Sequence, residues 1–221
     1  MLKCVNAIKW RVQAFLFRIE RRNRIRNFRK QLPNLQYSYK ELYQNHVVDT
    51  GVGNKVIIDK GSSLQDCNIS FYGKNCTLHI GHNVRIHNNS FWFEDDGGEI
   101  YIGDDTTTES GCQFASCEGK KVIIGVDCML SHDIDIRNTD SHSILNSNGE
   151  RINPAADIVI GNHVWIGIRS TILKGSVVPS DSVISAQSMV TASLKASQHN
   201  LIAGIPAKVI KTNISWDRKR L

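Results

Sequence analysis

From Ile160 onward a large aliphatic residue returns every six positions: Ile160, Ile166, Ile172, Val178, Ile184 and Val190. Two residues before most of them stands a small or β-branched side chain, namely Val164, Ser170, Ser176, Ser182 and Ser188, and glycine follows at Gly161 and Gly167. The same beat runs in pieces through Ile124, Leu130 and Ile136, through Ile80 and Ile86, and through Ile58 and Leu64. An α-helix needs a period of about 3.6 and a simple strand a period of about 2, so neither produces six. A six-residue unit of short strand plus turn does. Three such units close one triangular coil, with the aliphatic side chains stacked along its axis. Each coil buries its apolar edge only against its neighbours, so the array has to continue for several coils. The spacing predicts a parallel β-solenoid.

Two stretches leave the beat. Between Ile136 and Ile160 lie four units' worth of chain, yet residues 138–157, NTDSHSILNSNGERINPAAD, carry no hexapeptide pattern. They form a polar loop on a rigid scaffold, the usual place for a site. Residues 88–120 keep only a partial beat at Ile102 and read as an irregular stretch of coils. The alternative makes them part of a groove, with aromatic Phe91, Trp92 and Phe93 beside acidic Glu94, Asp95 and Asp96.

Ahead of the repeats, Val5, Ile8, Val12, Phe15, Leu16 and Ile19 fall at helical spacing. They predict an amphipathic helix over 3–29 that stops near Pro33. Charge sharpens this picture. Residues 1–30 hold ten Lys/Arg against Glu20 alone, so they carry more than the whole formal charge of +6. Such a helix either attracts an anionic surface, a membrane leaflet or an acidic polymer, or packs its stripe on its own domain or a neighbouring subunit. Nucleic acid is disfavoured, because no basic footprint continues after residue 40. The expected organisation is a basic helical segment over 1–45, a solenoid domain over 46–211 with its loop at 138–157, and a tail over 212–221.

Composition narrows the class further. The chain has 221 residues and is 41% hydrophobic, with no apolar run near the ~20 residues that span a bilayer. Lys9 and Arg11 interrupt any signal-peptide core. Six cysteines form no C-x-x-C pair, which predicts reduced, core-filling thiols in a cytoplasmic protein.

IGNHVWIGIRSTILKGSVVPSDSVISAQSMVT, followed by IAGIPAKVIKTNISW, resembles the hexapeptide-repeat acyltransferases, and most of all the saccharide O-acetyltransferases of surface polysaccharide synthesis. The resemblance spans about residues 50–216 and is most specific over 157–211. It implies an all-β fold, a left-handed parallel β-helix, against the usual right-handed crossover. It also implies a homotrimer that binds acetyl-CoA in the groove between subunits.

The chemistry fits the loop. A sugar hydroxyl is a poor nucleophile until a base takes its proton, a contribution of about 10²–10⁴-fold. His142 is the loop's one group that ordinarily titrates near neutrality, and its place 23 residues before Trp165 matches the family's catalytic histidine. Asp140 is the candidate to hold its tautomer. His132 is a rival that could assist acceptor binding. By the same resemblance Trp165 lines the acceptor and pantetheine channel, and Gly167 and Ile168 face the donor arm. Ser185 and Ala186 stand where the family has glycine-alanine, Thr191 lines the channel, and Lys208 meets the phosphates. Arg169 and Lys174 lie on outward turns and add to the field.

Other readings stay open at this stage. The acceptor could be the amine of an amino sugar or xenobiotic. His46, His82 and His87 have the spacing of a carbonic-anhydrase-like zinc site. A non-catalytic scaffold is the remaining class, although a scaffold has no use for a loop that bears a histidine. No metal is expected for the acyltransfer itself.

Overall fold

The computed structural model describes residues 2–37, 42 and 44–220, with side chains from residue 12 onward. The chain divides into two compact units, 1–33 and 34–221.

The first unit is a single α-helix, Leu2–Gln31, whose last turn carries Arg29 and Lys30, where cations meet the negative end of the helix dipole. Val12, Phe15, Leu16 and Ile19 are exposed.

Among the described residues the second unit is a stack of triangular coils with three sheets of seven, eight and seven strands, parallel except for the last pair of the second sheet. Gln36–Tyr37, grouped with the helix by sequence pattern, belongs here and pairs in parallel with Lys55 and Val56. The chain visits the sheets in a fixed order. Thr77–Ile80 lies on the first face, Arg85–His87 on the second and Ser90–Phe93 on the third, and the next coil begins at Glu99.

Register explains why the six-residue beat breaks. On the first face Ile58, Ile80, Ile102 and Ile124 are direct partners, one per coil and evenly spaced along the chain. Further on, Ile160 pairs with Val178 after a shorter interval, that of three plain hexapeptides. The N-terminal coils are longer. Their extra residues sit in four-residue strands on the third face, such as Asn68–Phe71 and Gln113–Ser116, and in the corner that follows. Residues 88–120 are therefore regular coils, not an irregular stretch. Phe91 and Phe93 point inward, where Phe91 stacks on Phe114 at 5.0 Å and Phe93 on Phe71 at 4.7 Å. Trp92 lies between them and faces out.

Corners turn through left-handed residues, among them Asp66, Asn83, Asn88, Asp105, Asp127 and Asp133. Asn and Asp tolerate that region best among residues with a side chain. At the far end Leu201–Gly204 and Ala207–Lys211 form an antiparallel hairpin across a cis Ile205–Pro206 bond, and this hairpin ends the second sheet.

The residues after the hairpin are not a loose tail. Trp216 stacks on His163 at 4.2 Å, and its indole N–H donates to the His163 carbonyl at 2.9 Å. Arg218 donates to Asp127, Thr107 and the Cys128 carbonyl at 2.8–2.9 Å. The segment is a strap across corners laid down much earlier in the chain.

Candidate active site

The loop at 138–157 springs from the corner between the third and first faces, between Asp135–Arg137 and Ile158–Ile160. Its base is fixed by ion pairs. Arg151 grips Glu118, on the preceding coil, with two hydrogen bonds of 2.7 and 2.8 Å, and the Thr139 hydroxyl donates to the same carboxylate at 2.9 Å. Arg151 above all pulls the Glu118 carboxyl down to about 2. On the following coil Lys174 donates to Asp140 at 2.6 Å and to the Asn153 carbonyl at 3.0 Å. Asn153 closes the loop from within: its side-chain N–H bonds reach Asp140 and the His142 carbonyl, both at 2.8 Å.

This network leaves the His142 imidazole exposed and without a hydrogen bond to any described residue. Asp140 does not orient it. The carboxylate turns to Lys174 first and then to Asn153, and both hold it below its usual range. Asp140 thus anchors the loop instead of setting a tautomer, because two residues in an irregular turn project their side chains apart. Lys174, expected only to add to the field, is its partner.

His142 stands over a cleft of about 490 Å³ on the outer side of the third face. Trp92, Gln113, Ala115, Asp135 and Arg137 line its floor. None of these was singled out by sequence except Trp92, as part of the acidic-aromatic stretch. The available signal was the near-constant coil length, which sets Trp92, Ala115 and Arg137 in one column.

The residues expected to meet a donor lie elsewhere on the coil. Gly167–Ile168 and Ser185–Ala186 occupy successive rungs of the corner between the second and third faces: the Gly167 N–H donates to the Ile184 carbonyl, and the Gln187 N–H to the Ile168 carbonyl. A Cβ at Gly167 would sit 2.5 Å from the Ala186 nitrogen. The missing side chain is therefore required by coil stacking, before any ligand is considered. Trp165 opens this corner, exposed, with its indole 3.4 Å from the Ser131 hydroxyl. His132, one coil earlier at the same corner, is held by Ser110 at 3.0 Å. Thr191 is on the opposite corner, where its hydroxyl meets Ser193 at 2.7 Å. Lys208 is exposed on the terminal hairpin, with no ion-pair partner among the described residues.

Within one chain His142 and the Gly167/Ser185 corner thus lie at opposite strand ends of the third sheet. They are separated by at least the three-residue strand Thr171–Leu173, about 10 Å at roughly 3.3 Å per residue.

The histidines of the zinc alternative do not converge. His46 is on the third face, His82 on a turn after the first and His87 on the second. His82 faces Asp59 and Asp104, whereas His87 faces Asp66. Spacing in sequence did not become proximity, because the coils here are longer than three hexapeptides and carry these positions to different faces. The described cysteines, 67, 76, 112, 117 and 128, are buried and free. Burial pushes the thiols of Cys67, Cys112, Cys117 and Cys128 up to about 11, which suits packing and not nucleophilic catalysis.

A parallel β-solenoid with an excursion loop that presents a free imidazole over an open cleft defines a class, and the relatives of the chain name it. The chain belongs to the hexapeptide-repeat O-acetyltransferases, left-handed β-helix enzymes, and is an acetyltransferase. It is 34% identical over 192 residues to the polysialic acid O-acetyltransferase of Neisseria meningitidis, a match that covers 77% of this chain and 89% of that protein. A protein of the same name from Escherichia coli O1:K1 is 37% identical over 140 residues, covering 61% of this chain and 45% of that longer relative. Among solved structures, the polySia-specific acetyltransferase NeuO superposes with a TM-score of 0.66 at 31% identity, over 80% of this chain and 90% of that one. No family model matches the chain. The Neisseria and Escherichia relatives are named O-acetyltransferases, which disfavours the amine-acceptor alternative.

Proposed function

We propose that the enzyme transfers an acetyl group from acetyl-CoA to a hydroxyl of a sialic-acid polymer, with His142 as general base. The free imidazole over the cleft carries this reading, together with relatives named for polysialic acid. The neutral ring accepts the acceptor hydroxyl's proton as the oxygen bonds to the thioester carbonyl carbon. When the carbon–sulfur bond breaks, the imidazolium returns that proton to the departing thiolate. A base in this role contributes about 10²–10⁴-fold.

Donor binding falls to Trp165, Gly167, Ile168, Ser185, Ala186, Thr191 and Lys208. Trp165 flanks the thioester end, the exposed Ile168 and Ala186 run beside the pantetheine arm, and Lys208, with no ion-pair partner among the described residues, offers its ammonium to phosphate. The two halves of this machinery are on different edges of one protomer, which supports a homotrimer whose neighbouring copies bring a His142 edge against a Gly167 corner. No described helix is long and apolar enough to cross a membrane. The basic helix Leu2–Gln31 serves to hold the enzyme near an anionic lipid surface or its anionic polymer, on the cytoplasmic side, where acetyl-CoA is made.

The test is His142→Ala, with trimer and melting temperature checked. Acetyl transfer to a sialic-acid oligomer should fall at least about 100-fold while acetyl-CoA binding persists. Full activity in that variant removes the proposed base.

A further inference from the structure

The geometry points to a carboxylate-reading acceptor subsite on the outer side of the third sheet, made by Arg137 and Trp92 across the hollow over Ala115. It deepens the O-acetylation reading and rests on that reading only for the reaction performed at the site. Trp92, Ala115 and Arg137 are direct rung-to-rung partners in one outward column. Rungs about 4.8 Å apart put Trp92 and Arg137 roughly 10 Å from each other. The Ala115 methyl between them leaves the floor of the cleft low, and Ser90 and Gln113 in the adjoining column line it with polar groups. The half-exposed Trp92 ring is braced by Tyr72 at 4.7 Å, so it stands as a fixed platform for the apolar face of a pyranose.

Arg137 is fixed as well. Its Nε donates to both Asp135 oxygens at 3.1 and 2.9 Å, and Nη2 donates to Oδ1 at 3.0 Å. Nη1 has no partner among the described residues. Asp135 therefore holds the fork in one orientation and leaves donors for a second carboxylate, the pairing a guanidinium makes best.

Charge decides how the subsite discriminates. Glu94 and Asp135 also line the cleft, so Arg137 stands there without any surplus of positive charge. A diffuse field cannot select an acidic sugar here; a single oriented fork can. A carboxylated pyranose seated between Trp92 and Arg137 lies directly under His142, which lines the same cleft.

The experiment uses the full-length protein and two acceptors, a sialic-acid oligomer and the same oligomer with its carboxyls reduced to alcohols. Binding is measured by ligand-observed NMR and transfer by kcat/KM. The wild type should favour the acidic form by about 10- to 100-fold, the range expected for hydrogen bonds to a charged partner. The double variant D135N/R137A removes the fork without changing net charge and should erase that preference in both readouts. R137K, which keeps the charge but not the fork, should restore only part of it. W92A should weaken both acceptors alike. A preference retained by D135N/R137A, or no preference in the wild type, overturns the subsite. Selective binding without any acetyl transfer leaves the subsite standing and removes the proposed reaction instead.

Discussion

The loop that carries His142 is clamped to the coil before it by Glu118, and breaking that clamp should have a measurable size. The Glu118 carboxyl lies at about 2 instead of 4.5, chiefly through its two hydrogen bonds to Arg151. Such a shift, at about 1.4 kcal/mol per unit, would amount to about 3 kcal/mol for a shielded group. The Glu118 side chain is 28% exposed, and water screening reduces the figure to about 1–2 kcal/mol. The sign follows from a depressed carboxyl: the clamp is fully present above pH 4.5 and is lost as pH falls toward 2. Glu118→Gln should therefore raise loop opening roughly 5- to 30-fold at pH 7, since each 1.4 kcal/mol is about tenfold. Amide hydrogen exchange over residues 139–155 reads this locally, without unfolding the coil. Arg151→Gln should match it, and the double variant should be no worse than either single one. If exchange in E118Q stays within about two-fold of the wild type, the clamp is ornamental and the reasoning fails.

Other outcomes follow from the same structure. Phe91→Ala empties a fully buried ring position stacked on Phe114 and should cost about 3–5 kcal/mol in chemical denaturation. Gly167→Ala forces a methyl to within 2.5 Å of the next coil's backbone; it should lower stability by about 1–3 kcal/mol, and an unchanged melting temperature would contradict the stacking role. Alkylation at pH 8 should spare Cys67, Cys112, Cys117 and Cys128 in the folded protein, because thiols near 11 are overwhelmingly protonated there and buried; mass spectrometry before and after unfolding checks this. Trp216→Ala removes the stack on His163 and should expose residues 212–220 to proteolysis while the hairpin at 201–211 stays protected.

By itself the sequence determined the solenoid. A period of six with aliphatic residues in register is a one-dimensional signal, because each coil packs only on its neighbours. The run Ile160, Ile166, Ile172 is thus the core itself, written linearly. It also determined the excursion loop and its histidine, since a polar stretch that bears an imidazole has no place on a packed rung. Tertiary structure decided everything that depends on how coils of different length align. The longer N-terminal coils turned Phe91 and Phe93 inward, brought Trp92 and Arg137 into one column, and kept His46, His82 and His87 apart. Short-range sequence likewise paired Asp140 with His142, whereas packing gave Asp140 to Lys174, 34 residues away, and left the ring free. Contacts between residues far apart in sequence, such as Glu118 with Arg151 or Asp127 with Arg218, arise only when the stack fixes which corners face each other.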